Sequence, residues 1–190
     1  GSKQAWLLKT DTETHGPFDV LVMNLPAPQL LALLPEVEQA TAFPEFEPCH
    51  ALLLRFEGSL SVNWSTARPD GHPILKWICR ESSKPGRPNA EQWLVQSQGD
   101  WSKEHLETDL SEVERLLTEA FLEYTDKAEP PSASQIHRWR YARPSHPLPE
   151  GSYWDPTKQI GVCGDAWGGG ADGALLSGAH LAGRIMGGEE

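Results

Sequence analysis

The stretch from Ile160 to Ile185 constrains this chain more than any other. Ile160-Gly161-Val162-Cys163-Gly164-Asp165 reads as a short buried strand closed by Gly-Asp, and the glycines Gly168-Gly169-Gly170 follow it. From Asp172 to Ile185 small and apolar residues recur at helical spacing, interrupted by His180 and Arg184. Strand, glycine-rich turn and helix start, in that order, aim backbone N–H groups and the positive end of a helix dipole at whatever occupies the turn. The same order also describes an ordinary βα unit closed by a surface helix. The apolar run is too short and too interrupted for a membrane span.

Composition narrows the classes. A chain of 190 residues can build a domain with its own core. Its 38% hydrophobic and 23% charged content is that of a globular protein, slightly lean in apolar residues. A net charge of −11, with no basic run beyond His137-Arg138-Trp139-Arg140, argues against a nucleic-acid surface and a membrane-surface role. The three cysteines, Cys49, Cys79 and Cys163, are far apart and form neither a disulfide framework nor a metal motif, which suits a reducing cytoplasm. Cys79 and Cys163 lie in apolar runs and read as small buried hydrophobes. None of the seven histidines has partners at ligand spacing, so no metal is expected. No Gly-x-Ser-x-Gly nucleophile elbow occurs.

Along the chain, residues 4–9 read as a strand, 10–17 as a polar turn and 18–24 as a continuous apolar strand of buried type, together a hairpin. A short helix-like turn over 29–34 follows Pro26 and Pro28. Strands are expected over 48–57, 74–80, 91–98 and 136–142, with a helical stretch starting at Trp101-Ser102. The clearest helix runs from Ser111 to Tyr124, where Ser111 and Glu114 have capping-box spacing. Strands first and a long helix after them predict an α+β fold: a twisted, mostly antiparallel sheet with helices on one face.

The segment Gly161–Ile185 resembles the C-terminal flavin-binding segment of the FAD-dependent amine oxidase superfamily. There a Gly-Asp or Gly-Glu closes the last strand, and Glu/Asp-Gly-Ala begins the helix that points at the flavin. Three further stretches, Asp19–Gln29, Trp77–Pro88 and His137–Pro144, are similar to the bacterial renalase-like branch. With Trp93 and Trp101-Ser102 between them, the likeness covers nearly the whole chain in the family's order. It covers the second half of such a protein only. The Gly-x-Gly-x-x-Gly turn that such an enzyme carries after its first strand, letting backbone approach a pyrophosphate, does not follow the first expected strand of this sequence.

The resemblance implies a domain plan. Gly1-Ser2 reads as a tag remnant, and 3–34 as a returned hairpin of an FAD-binding domain. Residues 35–154 form the substrate domain, and 155–190 the C-terminal FAD-binding segment of an incomplete Rossmann-like domain. The partner expected is the missing N-terminal FAD-binding half, alongside a small-molecule substrate. The cofactor implied is FAD, with Gly164, Asp165, Trp167, Ala171, Asp172, Gly173, Ala174 and Pro26 as its binding residues. Asp165 is expected on a ribityl hydroxyl, with capping of the following turn as its plain alternative. A helix N-terminus at 171–174 would stabilise negative charge on the pyrimidine end of the flavin.

Eight tryptophans in 190 residues call for an account. Trp6, Trp93 and Trp101 are assigned to core packing. Trp77 and Trp139 sit on expected strands beside cations and are the candidates for the substrate pocket, with Arg80, Arg87 and Arg138 as candidate phosphate contacts. The activity implied is transfer of a hydride from a small substrate, a dihydronicotinamide dinucleotide isomer, to flavin with oxygen as acceptor. The alternatives are an amine oxidase, a hydroxybenzoate-type monooxygenase, or a substrate-binding module that is inactive in isolation. No catalytic acid or base stands out.

Overall fold

In a computed structural model, residues 5–37, 42–127, 129–149 and 151–187 are described. The tag remnant read at Gly1-Ser2 and the start of the first expected strand lie outside these residues. The chain opens with strands β1 (Trp6–Lys9), β2 (Thr14–Phe18) and β3 (Leu21–Met23), followed by helix α1 (Ala27–Leu33). Next come β4 (Phe46–Phe56), β5 (Thr66–Ala67), β6 (Leu75–Arg80) and β7 (Glu91–Ser97). Helices α2 (Gly99–Glu104) and α3 (Leu110–Tyr124) precede β8 (Ala133–Pro144), β9 (Tyr153–Asp155), β10 (Ile160–Val162) and α4 (Gly170–Gly187). The mixed α+β composition with antiparallel pairing agrees with the expected fold class. Two compact units divide it: Gly1–Phe46 with Arg143–Glu190, and Glu47–Ala142.

The second unit is a five-stranded sheet in the order β5-β6-β7-β4-β8. β6 and β4 each pair antiparallel with β7, in a register that sets Ile78 beside Val95 and Val95 beside Leu52. Side chains alternate across a strand. Leu52, Leu54, Phe56, Ile78, Trp93 and Val95 therefore share one face, and there they form a single buried cluster with Val113, Leu117, Ala120 and Phe121 of α3. Trp93 is fully buried, with Trp64 edge-on at 5.1 Å. Trp93 and Trp101 are core residues, as the composition suggests. Trp6 is half-buried instead, its indole N–H donating to the Lys158 carbonyl at 3.0 Å.

Helix α3 starts one residue earlier than its spacing suggests, and its cap differs. The Asp109 carboxylate accepts the Ser111 N–H at 2.8 Å and the Ser111 hydroxyl as well. Glu114, the expected reciprocal partner, accepts instead from the Ser134 hydroxyl of β8. Asp109 wins because an aspartate at the N-cap carries a full charge next to the helix's free N–H groups. Asp109→Ala is accordingly expected to lower the melting temperature by more than Ser111→Ala. A larger drop from Ser111→Ala would restore the capping box.

The first unit holds the β1–β2 hairpin and a separate three-stranded sheet in the order β3-β10-β9. β10 runs parallel to β3 and antiparallel to β9. Two expectations fail here. Residues 14–18 form a strand rather than turn, because Thr10 closes the reversal early: its hydroxyl accepts the Glu13 N–H at 3.0 Å. The apolar stretch 18–24 is not one buried strand. It breaks after Phe18, whose side chain is exposed, and resumes as β3 in a different sheet. Helix α1 is longer than the expected turn, since Pro28 falls in its first turn, where a missing N–H costs nothing.

Candidate cofactor site

β10 is buried along its length, and so is the chain through Gly164. The Cys163 N–H donates to the Met23 carbonyl at 3.1 Å, extending the parallel pairing to the carboxyl ends of β3 and β10. Two segments leave those ends side by side. One is Asn24-Leu25-Pro26, leading into α1, and the other is Gly164-Asp165, leading into the glycine turn and α4. A Cβ on Gly164 would lie 3.0 Å from the Asn24 Oδ1. Carboxyl ends of parallel strands followed by helix N-termini are where open α/β sheets bind ligands.

The turn is held from both sides. The Leu148 N–H donates to the Ala166 carbonyl and the Gly168 N–H to the Leu148 carbonyl, both at 2.8 Å. Gly168, Gly169 and Gly170 have φ of 72°, 70° and 65°, a run of left-handed backbone that residues with side chains adopt only under strain. Gly173 is buried where α4 crosses this turn. A Cβ there would lie 2.6 Å from the Gly168 carbonyl carbon and 2.7 Å from the Trp167 oxygen. The close approach expected of Gly173 toward a cofactor is thus an approach to the chain's own backbone. Gly161 serves the same packing one layer down, beneath Leu181.

The expected site residues take different parts. Gly164 and Asp165 follow the end of β10, Pro26 follows β3 after two intervening residues, and Ala171, Asp172, Gly173 and Ala174 lie in the first turns of α4. The Gly164 N–H is used internally, donating to the buried Ser177 hydroxyl at 3.1 Å, and the Gly173 N–H donates to the Gly169 carbonyl at 3.2 Å. The first-turn amides without intrahelical partners are those of Gly170, Ala171 and Asp172. Helix α4 begins earlier than expected, so this donor set is shifted toward the glycine run. Asp165 is half-buried, and desolvation pushes its carboxyl pKa up. Trp167 is committed to packing beside the strand ends. Its ring is buried in a cluster with Leu30, Val37, Val162 and Ala166, and Phe43 meets it edge-on at 5.7 Å. Ser177 and Asn24 escaped the sequence reading. Ser177 had a signal in retrospect, as a hydroxyl at i+4 from Gly173 and i−4 from Leu181 on the buried stripe.

The other unit supplies the second candidate surface. Residues alternating with its core positions lie on the opposite face of the sheet, where Trp77, Gln96 and Ala51 form one cross-strand row and Cys79, Leu94 and Leu53 the next. In β8, Ile136 packs on the core, which leaves His137 and Trp139 on this outer face with their rings 4.2 Å apart. Trp77 and Trp139 therefore share one face. Three strand spacings separate β6 from β8, or about 14 Å, so both cannot stack on a single ring.

Two of the three candidate arginines are committed elsewhere. Arg80 lies on the core side, 4.7 Å over the Trp93 ring, paired with Glu91 at 3.5 Å and donating to the Leu60 carbonyl. Arg138 donates to the Thr108 carbonyl on that same side. Neither faces the surface that carries Trp77 and Trp139. Arg87 stays 59% exposed, 4.0 Å from Glu81. Among the described residues no helix is long and apolar enough to cross a membrane, and no group of three or more His, Cys, Asp or Glu is placed to hold a metal ion.

The fold is shared with solved structures. The backbone matches a protein assigned as a protoporphyrinogen oxidase from Exiguobacterium sp. 255-15 with a TM-score of 0.68, covering 98% of this chain and 44% of that one at 15% identity. It matches an oxidoreductase from Methanosarcina mazei with a TM-score of 0.55, covering 98% and 47% at 15% identity. At such identity these matches speak to fold alone. In sequence it is similar to renalase of Mus musculus, with 23% identity over 151 residues, which are 73% of this chain and 44% of that protein. No family model matches the chain. The chain spans less than half the length of each of these proteins.

Proposed function

We propose that this chain is the substrate-side half and closing flavin-binding segment of a renalase-like, FAD-dependent oxidoreductase. The observation that carries the reading is that the β3 and β10 carboxyl ends lie side by side and that α4 packs there, its Ser177 hydroxyl accepting from the Gly164 N–H next to the half-buried Asp165. The residues fit a flavin's ribityl and pyrimidine end better than its phosphates. Asp165 would accept from a ribityl hydroxyl, and the amides of Gly170, Ala171 and Asp172 would face the ring's pyrimidine edge. At Gly170 a Cβ would meet nothing within 4 Å, so the backbone is open to a ligand there. Asp165 and Asp172 would repel phosphate, which leaves the pyrophosphate to a glycine-rich N-terminal half. When bound, FAD would accept a hydride and return electrons to oxygen. This chain's part is to orient the flavin and to stabilise charge at its pyrimidine edge.

The outer sheet face supports a flat, uncharged ring as the hydride donor, a dihydronicotinamide dinucleotide isomer in our reading. Trp77, Leu94, Leu53 and Trp139 offer apolar area, and no carboxylate stands in the two rows between them to bind an ammonium group. Anaerobic stopped-flow reduction of the flavin-bound protein tests this. Dihydronicotinamide isomers should bleach the flavin rapidly and a monoamine should not. Trp77→Ala or Trp139→Ala, whichever ring lies over the pyridine, should slow reduction by about tenfold or more, since small misplacements are costly to hydride transfer. Rapid reduction by a monoamine alone would return the protein to the broader amine oxidase class.

A further inference from the structure

We propose that the outer face of the five-stranded sheet holds a dinucleotide subsite, in which Gln96 reads the carboxamide of a nicotinamide ring and Arg55 holds a phosphate of the same molecule. The ring's identity rests on the reading above that a dihydronicotinamide dinucleotide isomer is the hydride donor. Successive rows of side chains cross this face. Trp77, Gln96 and Ala51 make one, Cys79, Leu94 and Leu53 the next, and Gln92 with Arg55 the third. Neighbouring rows lie two residues apart along a strand, so about 13 Å of backbone separates the amide row from the cation row.

Gln96 is half-buried, and its side-chain amide has no hydrogen-bond partner among the described residues. A primary amide offers one acceptor oxygen and two N–H donors, which is the complement of another carboxamide. Beside it Trp77 supplies an aromatic surface for the ring that bears that group. The row between carries neither charge nor amide. Cys79, Leu94 and Leu53 give the ring and its sugar an apolar surface to lie on.

Arg55 stands apart from the arginines on the other face of the sheet. Arg80 is held by Glu91, Arg140 by Glu107 and Arg138 by the Thr108 carbonyl. Arg55 is exposed and has no carboxylate within ion-pair distance among the described residues. That is notable in a chain with 27 Asp and Glu against 16 Lys and Arg, where acidic neighbours are plentiful. Its three-carbon stem lets the guanidinium reach back over Leu53, which shortens the span from Gln96 to the length of a nicotinamide riboside. There the planar fork can take a phosphate through two hydrogen bonds. A simple amine would leave both groups unused.

The test follows the Gln96 amide and Arg55 Nε–H resonances of the full 190-residue chain during titration with oxidised nicotinamide adenine dinucleotide or with nicotinamide riboside. The riboside has the carboxamide and no phosphate. The dinucleotide should move both resonances and the riboside that of Gln96 alone. Arg55→Met should weaken the dinucleotide about tenfold or more and spare the riboside, and Arg55→Lys should recover part of the loss. Gln96→Leu should weaken both ligands by the same factor. Both side chains reach solvent, so neither variant puts the core at risk. No binding of the dinucleotide, or binding unchanged in Arg55→Met, would overturn the proposal. So would equal losses for dinucleotide and riboside in Arg55→Met, the mark of a merely structural role. Reduction of the flavin-bound protein is read separately. Rapid reduction by a monoamine alone, with the dinucleotide still held through Arg55, overturns the hydride donor and keeps the subsite. Reduction by dihydronicotinamide isomers with the same apparent affinity in parent and Arg55→Met does the reverse.

Discussion

Gly173→Val is expected to unfold the turn that carries Gly164 to Ala174, and with it any cofactor the turn holds. The added Cβ would meet the Gly168 carbonyl carbon and the Trp167 oxygen at 2.6 and 2.7 Å. Both are backbone atoms, in a segment pinned by two hydrogen bonds to Leu148 and by the buried Trp167 ring. Nothing there can yield by rotating a side chain, so relief requires α4 to lift off the turn. We expect about 3 kcal/mol of destabilisation or more. Gly161→Ala is the informative comparison. Its Cβ would meet the Leu181 side chain at 2.7 Å, the far end of a flexible group, and a smaller loss should follow. Gly178→Ala, with open space around it, should be neutral or stabilising by up to about 1 kcal/mol in the isolated chain. Urea unfolding of the three variants gives the order. A Gly173 variant no worse than the Gly161 one would mean that the turn is not pinned as described.

That ordering separates what the sequence disclosed from what it hid. The strand–glycine–helix order at 160–185 was legible because β10 is a buried apolar run and three consecutive glycines leave little but a left-handed turn. The purpose of Gly173 was not legible. A glycine that admits a ligand and one that admits the chain's own backbone look the same in one dimension. The packing of Trp167 was hidden for a related reason: Phe43, which meets its ring edge-on, is distant in sequence. The sheet of the second unit was readable from the alternation in β4 and β7. The face borne by Arg80 and Arg138 was not, because it depends on a register irregularity between Leu75 and Trp77 and on which side of β8 the core claims. The second strand of the hairpin was misplaced because β2 is exposed throughout and carries no alternation to betray it.

Acid should weaken the second unit through a residue that no sequence pattern singles out. His50 is fully buried on the core side of β4, its ring 5.9 Å from that of Trp101, and neither ring nitrogen has a hydrogen-bond partner. Burial first, then the nearby charges of Arg138 and His105, lower its pKa from 6.5 to about 4. In the unfolded chain it would titrate near 6.5. Between those values the unfolded state binds a proton that the folded state refuses, so folding stability falls as pH drops from 6.5 toward 4. The stability at stake over that window is about 2–3 kcal/mol, present above pH 6.5 and lost near pH 4. His50→Phe keeps an aromatic ring against Trp101 and removes the titration. It should be no less stable than the parent at pH 7, because it also deletes two unsatisfied buried nitrogens. Urea midpoints from pH 7 to pH 4 should therefore converge or cross in favour of the variant as acid is added. Parallel curves, with the same slope in parent and His50→Phe, would show that the imidazole reaches water or a partner in the folded protein, and that its pKa is close to its ordinary value.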